Sequence, residues 1–322
     1  PYEVPPDGVV EYQYFVVDPE WTTDRWVRGA QVIPGDPSVV HHVIVFVRPP
    51  DGSEFSGVGW LSGYVPGQRV VRLPPGHARL VPAGSKLVFQ MHYTPTGRTS
   101  YDKTKLGVWT VDPKEVDHEV FTQIAIDYEF EIPARAKDYP VEMSVDAFPP
   151  NSRMLGIMPH MHLRGKSFEL IAKGTDGKES PMLRVPQYDF NWQHWYQFSD
   201  AVELDSIDSL RMKVIFDNSD ANPFNPDPGN PVSWGDQTWE EMAVAFFDVA
   251  VPRGGPRYHV HRAPPLTDEQ RSQRLERIDR QVDEFLVKLD SNKDGVIERE
   301  ETSETFRRFG FRTMDHNRDG RI

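Results

Sequence analysis

Val39-Val40-His41-His42-Val43-Ile44-Val45-Phe46-Val47 is a nearly unbroken β-branched and aromatic run, closed at once by Arg48-Pro49-Pro50-Asp51-Gly52. A run of that length between turn residues reads as a strand. The same form recurs at residues 86–93, 106–111, 121–132, 154–162, 167–172, 210–216 and 242–251. The 29 prolines among 322 residues, about 9% against an average near 5%, interrupt everything up to Pro265 and exclude long helices there. The expected fold is mainly β, with two antiparallel, jelly-roll-like β-sandwich domains. The charged segment 112–119 divides them, giving domains 1–118 and 119–255, a linker 256–266, and a small helical segment 267–322.

Composition narrows the function. With 38% hydrophobic and 26% charged residues, the chain is that of a folded protein, and its net charge of −13 opposes affinity for nucleic acid or anionic membrane surfaces. No stretch approaches the apolar length of a transmembrane helix, so no membrane insertion is expected. The absence of cysteine removes disulfide scaffolds, thiolate zinc sites, iron–sulfur clusters and blue copper. Any bound metal must use His, Met, carboxylate or backbone oxygen. Neither a basic n-region nor an apolar h-region follows Pro1, and the chain stops inside a motif, so an excerpt of a longer polypeptide is expected.

From Thr267 the period changes. Leu275, Ile278, Val282, Phe285, Leu286 and Leu289 recur at three and four, predicting a helix over about 268–289; Thr267 and Gln270 fit a capping box. That helix leads into Asp290-Ser-Asn292-Lys-Asp294-Gly295-Val296-Ile-Glu298-Arg-Glu-Glu301, which fits the twelve-residue EF-hand loop. Asp290, Asn292 and Asp294 would give side-chain oxygens, Val296 its carbonyl, Glu298 a water-mediated contact and Glu301 the bidentate carboxylate, with Gly295 at the sharp turn. A second loop starts at Asp315, Asn317 and Asp319 and ends before its twelfth-position acid. Ca2+ is expected at the first loop, in a structural or regulatory role.

The histidines carry the remaining chemistry. His160 and His162 are two apart, so on a strand both imidazoles project from one face. His41 and His42 are adjacent and could share an ion only at a strand end or bulge, where alternation breaks. His92 lies in the apolar run Phe89-Gln-Met-His92-Tyr93 and by itself reads as a hydrogen-bonded core residue. His77, His118, His194 and His316 stand alone, and His259 with His261 lacks a recognisable third ligand.

Taken together, Val39-Val-His41-His42-Val-Ile-Val-Phe46, Phe89-Gln-Met-His92-Tyr93, Met158-Pro-His160-Met-His162-Leu-Arg-Gly165 and Trp234-Gly-Asp-Gln-Thr-Trp-Glu-Glu-Met242 resemble the type II copper, ascorbate-dependent monooxygenases, which include peptidylglycine α-hydroxylating and dopamine β-monooxygenases. The resemblance covers roughly residues 20 to 255. It implies two β-sandwich domains facing each other across a cleft, and two copper ions. One, for electron transfer, would be held by His41, His42 and His92. The other, where dioxygen binds and a C–H bond is cleaved, would be held by His160, His162 and Met242. An external reductant, ascorbate or an electron-transfer protein or domain, and a periplasmic or secreted location follow from the same resemblance.

This chain departs from the peptidylglycine enzymes where they hold a substrate carboxylate: the three positions are Met158, Val244 and Phe246. A small, largely apolar substrate is therefore expected. Of the aromatics Tyr188, Phe190, Trp192, Trp195 and Tyr196, some would line the cleft and most would serve a core. The rival readings are a copper-binding protein without catalysis and a calcium-dependent β-sandwich adhesion module.

Overall fold

The computed structural model describes residues 1–255, except 9, 11, 51–55, 68–69 and 236–237, together with 290–301 and 321. The chain divides into two compact units, Pro1–His261 and Arg262–Ile322. The first is mainly β, as expected. Its strands are numbered β1 to β20 in chain order.

The largest sheet runs β10 (Lys105–Val111), β3 (Arg25–Ile33), β7 (His77–Val81), β11 (His118–Asp127), β20 (Ala243–Pro252), β14 (Arg153–His160) and β17 (Tyr196–Glu203), with β6 (Val71–Arg72) also on β3. A four-stranded sheet joins β2 (Gln13–Val17), β8 (Lys86–Tyr93), β4 (Val40–Arg48) and β5 (Trp60–Tyr64). Another joins β13 (Tyr139–Val145), β18 (Ile207–Phe216), β15 (Gly165–Gly174) and β16 (Glu179–Val185). Two short pairs complete the set: β1 (Tyr2–Val4) with β9 (Ser100–Asp102), and β12 (Glu131–Ile132) with β19 (Val232–Ser233).

Period-two burial explains the layering. In β18 every second residue, from Leu210 through Met212 and Val214 to Phe216, is buried, so one face of its sheet is apolar and must be covered. It packs with Phe121, Ile157, Phe168 and Phe247 into a core drawn from residues 121–251. A separate core gathers Val27, Val32, Val43, Val45, Phe89 and Met91 from β3, β4 and β8. Each fully buried side chain of this kind stabilises the fold by about 1.5–3 kcal/mol, so each half has its own interior.

The halves share the largest sheet. Between Val111 and His118 the chain makes a 3-10 turn, Pro113–Glu115, whose Asp112 side chain accepts from Lys114 N at 2.8 Å. It then lays β11 beside β7 in a parallel pairing of two residues, His118 with His77 and Glu119 with Ala78. This one parallel contact among the described strands gives β7 a neighbour along an edge it would otherwise expose. A buried triad crosses the same seam. Arg79 Nη2 meets Asp248 Oδ2 at 2.6 Å, Arg79 Nη1 donates to Thr122 Oγ1 at 3.0 Å, and Thr122 donates to Asp248 Oδ1 at 2.7 Å.

The stretch 121–132, expected as one strand, is two. Glu129 N donates to Asp127 Oδ1 at 2.7 Å, a local turn that competes with the ladder before β12 resumes. The helix expected over 268–289 and the second loop with Asp315, Asn317 and Asp319 lie outside the described residues. The first loop, 290–301, is described and ends in a 3-10 turn, Arg299–Glu301.

Candidate metal centre

His42 and His92 face each other across β4 and β8, and the pairing slips between Val40 and His42: Val40 sits opposite Tyr93, so His41 and His42 together answer the single residue His92. That slip is a bulge, and it breaks the alternation that would otherwise send two adjacent histidines to opposite faces. As a result His41, His42 and His92 each bring a ring nitrogen within 4.8 Å of the other two. His41 Nδ1 and His42 Nδ1 are 3.1 Å apart. Two nitrogens bound at ~2.0–2.1 Å to one tetrahedral ion would stand about 3.3 Å apart, so the pair is spaced for a shared metal.

The surroundings fix the rings. Tyr12 Oη lies 3.2 Å from His42 Nε2, which directs the other nitrogen, Nδ1, to its histidine neighbours. Phe190 stacks on His41 with centroids 4.9 Å apart. His92 Nδ1 is buried and has no hydrogen-bond partner, an omission that ordinarily costs about 1–3 kcal/mol and that a metal would remove. Burial pushes the His42 pKa well below 6.5, helped by the nearby His92, His41, His160 and His162. His92 falls to about 4, through burial and then the His41 charge, and burial also lowers His41 against a raising hydrogen bond from Asn191. The three rings are therefore neutral at pH 7, the form that coordinates a metal.

The second pair lies at the end of β14. His160 closes the strand and His162 follows two residues on; their rings are 5.3 Å apart and perpendicular. His160 Nδ1 is 2.5 Å from Gln193 Oε1, and His162 Nδ1 is 3.1 Å from the Glu240 carbonyl oxygen. Both partners accept only, so each Nδ1 carries a proton, and in the neutral ring the lone pair sits on Nε2. This is the carbonyl-oriented arrangement typical of metal-binding histidines.

Met242 lies just before β20. On β14 and β20, Met158 pairs with Phe246 and His160 with Val244, so the chain segments that carry His162 and Met242 leave this pairing at the same end. A buried carboxylate ties the two segments together. Glu241 Oε2 accepts from His162 N at 2.8 Å and Met242 N at 3.3 Å, while Oε1 accepts from Arg164 N at 2.5 Å. Burial raises the Glu241 pKa to about 7, against the three N–H donors and the Arg164 charge.

The two sets are neighbours within one unit. Phe190, stacked on His41, also meets the edge of His162 at 6.0 Å, and a small gap is lined by His42, Trp60, Tyr64, Met158, His160 and Gln193. Of Met158, Val244 and Phe246, Met158 lines the gap, Phe246 packs against its lining residue Trp60 at 5.1 Å, and Val244 is buried opposite His160. The aromatic group divides in its use: Tyr188 and Tyr196 pack against the second core, Phe190 and Trp195 reach the gap region, and Trp192 is exposed. His77 and His118 stack at 4.7 Å, without a third ligand from the described His, Asp or Glu residues.

Tyr12, Gln193 and Glu241 were not singled out by sequence. Only Glu241, beside Met242 in a quoted motif, carried any signal; a tyrosine in Tyr12-Gln13-Tyr14 and a glutamine in a polar loop have none.

In the second unit, Asp290 Oδ2 accepts from Gly295 N at 2.8 Å, Asn292 Oδ1 from Asp294 N at 2.9 Å, and Asp294 Oδ1 from Val296 N at 2.9 Å. Glu301, at the twelfth position, turns back to accept from Asn292 N at 3.0 Å and Glu298 N at 2.9 Å. Gly295 takes φ +83°, the left-handed conformation for which glycine is best suited.

No protein-family model matches the sequence, and no curated protein matches it. Solved structures give distant likenesses. The major capsid protein P2 of bacteriophage PM2 is 12% identical with a TM-score of 0.33, covering 76% of this chain and 100% of that one. The STIV major capsid protein is 10% identical at 0.33, covering 76% and 98%. VP2 of infectious bursal disease virus is 13% identical at 0.26, covering 74% and 59%. At such TM-scores these likenesses carry no argument about function.

Proposed function

We propose that the first unit is a two-site copper monooxygenase of the type II, ascorbate-dependent kind, built as two jelly-roll-like sandwiches and acting on a C–H bond of a small, largely apolar molecule. The observation that carries this reading is the convergence of five histidines into two sets in one unit, one with a bare buried Nδ1 and the other with each Nδ1 held by an oxygen acceptor.

These donors suit copper. Three imidazoles tolerate both oxidation states, and a thioether at Met242 favours Cu(I) where two imidazoles alone discriminate poorly against zinc. Copper held by His41, His42 and His92, and by His160, His162 and Met242, would supply one-electron transfer and dioxygen activation. The protein's own part is orientation and exclusion. Gln193 and the Glu240 carbonyl hold the His160 and His162 tautomers, Glu241 ties the His162 and Met242 backbones together, and Met158 with Trp60 offers a substrate an apolar wall. Ascorbate or an electron-transfer protein would be the reductant, and a periplasmic or secreted location fits that chemistry.

The second unit would bind Ca2+ at Asp290, Asn292, Asp294, Val296, Glu298 and Glu301, as a helical EF-hand segment. The antiparallel bridge between Glu298 and Arg321 supports a loop paired with the partial one at Asp315, Asn317 and Asp319.

The test is copper content after anaerobic Cu(I) loading, followed by ascorbate-dependent dioxygen consumption. Two ions in the parent and one in each of His92→Ala and Met242→Ala are expected. Absence of tightly held copper in the parent refutes the reading. Two ions without reductant-dependent turnover on any C–H substrate would leave copper binding without catalysis. For the second unit, Glu301→Gln should lower Ca2+ affinity in a calorimetric titration.

A further inference from the structure

A larger cavity, of ≈ 190 Å³, adjoins the gap between the histidine sets. Its lining includes Arg28, Trp60, Tyr64, Arg79, Trp195 and Asp248, and it shares Trp60, Gly63 and Tyr64 with the gap that touches His42, Met158 and His160. At ~10–15 Å³ per water-sized position, it has room for a molecule of one ring and a short chain.

The register of β14 and β20 explains how the cavity meets the metal-binding face. Pairs His160 with Val244, Met158 with Phe246, and Gly156 with Asp248 follow in a row, passing from imidazole through an apolar pair to a carboxylate at the cavity wall. Gly156 makes the space for its neighbour: a Cβ there would lie 2.7 Å from Trp195 Nε1 and 2.6 Å from the Tyr196 carbonyl oxygen. With no side chain in the way, the Trp195 ring approaches Trp60 to 5.8 Å, and two indoles face the same cavity.

Charge decides the ligand class. Arg79 and Asp248 are consumed by one another and by Thr122, a closed and neutral set. Arg28 is half-buried; its Nε donates to the Leu73 carbonyl oxygen at 3.1 Å, and no carboxylate pairs with it among the described residues. The described lining thus holds two guanidinium groups against one carboxylate, a net positive site in a chain of net charge −13. A half-buried guanidinium with unclaimed N–H groups is matched by the two oxygens of a carboxylate, and flat indole walls are matched by an aromatic body.

We infer that this cavity binds a small aromatic carboxylic acid, its carboxylate on Arg28 and its ring against Trp60 and Trp195, with the carbon chain that joins them open toward the gap lined by Met158 and His160. Oxidation of that chain rests on the monooxygenase reading; the binding does not. The family's carboxylate-holding positions are apolar here, and Arg28, on the other half, takes over the anionic end.

The experiment is calorimetric and tryptophan-fluorescence titration of the full chain, metal-free and copper-loaded, with 3-phenylpropionate and its neutral amide. The parent should bind the acid saturably and at least about tenfold more tightly than the amide. Arg28→Gln should erase that preference while leaving copper content and amide binding unchanged; Arg28→Lys, which keeps the charge but not the fork, should restore part of it. Trp195→Ala should weaken both ligands. The inference is overturned if the parent binds no acid in either form, or if Arg28→Gln weakens acid and amide alike. Acid binding by the metal-free chain with no oxidised product from the copper-loaded one would sustain the cavity assignment and count against the monooxygenase reading alone.

Discussion

Replacing Gln193 by Ala tests whether the second histidine pair is built as a metal site. Gln193 is buried, and its Oε1 stands 2.5 Å from His160 Nδ1 while its Nε2 donates to the Phe190 carbonyl oxygen at 2.9 Å. Removing it leaves a shielded ring N–H without an acceptor, a loss of about 1–3 kcal/mol, and lets the imidazole turn. Losing such an orienting partner typically costs a metal site 10–100-fold in affinity, or about 1.4–2.8 kcal/mol. The assay is competition for Cu(I) against a chelator of graded strength, which reads the two ions separately. Gln193→Ala should release the second ion at lower chelator concentration with the first unaffected, and Gln193→Glu, which keeps an acceptor, should not. If Gln193→Ala holds the second ion as tightly as the parent, His160 is not oriented by this bond and the reasoning fails.

Three further outcomes are expected. Glu241→Ala removes the acceptor of three backbone N–H groups and the carboxylate whose charge acts on the buried Arg164 guanidinium, so urea unfolding should show a loss of about 3–5 kcal/mol; a loss within the range of an ordinary surface substitution would contradict it. In the metal-free chain the folded state resists protonating His92, whose pKa falls from 6.5 to about 4, whereas the unfolded chain protonates near 6.5. Stability from this group is therefore complete above pH 6.5 and is lost as pH falls toward 4, by about 3 kcal/mol. His92→Gln should gain on the parent by that amount between pH 7 and pH 4, and a constant difference would show that burial does not govern this ring. Gly156→Ala would drive a Cβ to 2.6 Å from the Tyr196 carbonyl oxygen, against backbone that cannot yield without parting β14 from β17; about 1–3 kcal/mol of destabilisation is expected, with altered fluorescence from Trp195.

The sequence by itself determined that this chain is mainly β, because Pro, Gly and Asp cut it into apolar runs too short for helices and side chains on a strand alternate whatever the partner. β8 occupies the predicted residues 86–93 without a shift, since its alternation is strict. The quieter strands β3 and β13 were missed: Arg28, Gly29 and Gln31 blur the pattern in one and exposed Glu142 and Ser144 in the other. The histidine motifs were legible because ligand spacing is local for His160 and His162 and nearly so for His41 and His42.

What the sequence left open was decided by pairing between distant strands. Nothing near residue 41 specifies a bulge; it arises where β4 takes its register from β8, and only then do His41 and His42 meet His92. The backbones of His162 and Met242 meet on the Glu241 carboxylate only where the ends of β14 and β20 lie side by side. Tyr12, Gln193 and Glu241 act through hydrogen bonds that include ones made across 30, 33 and 79 positions of chain, and the Arg28 cavity is lined by residues from both halves. Hydrogen-bond partners are chosen by proximity in space, and alternation along one strand carries no information about which distant residue will lie against it.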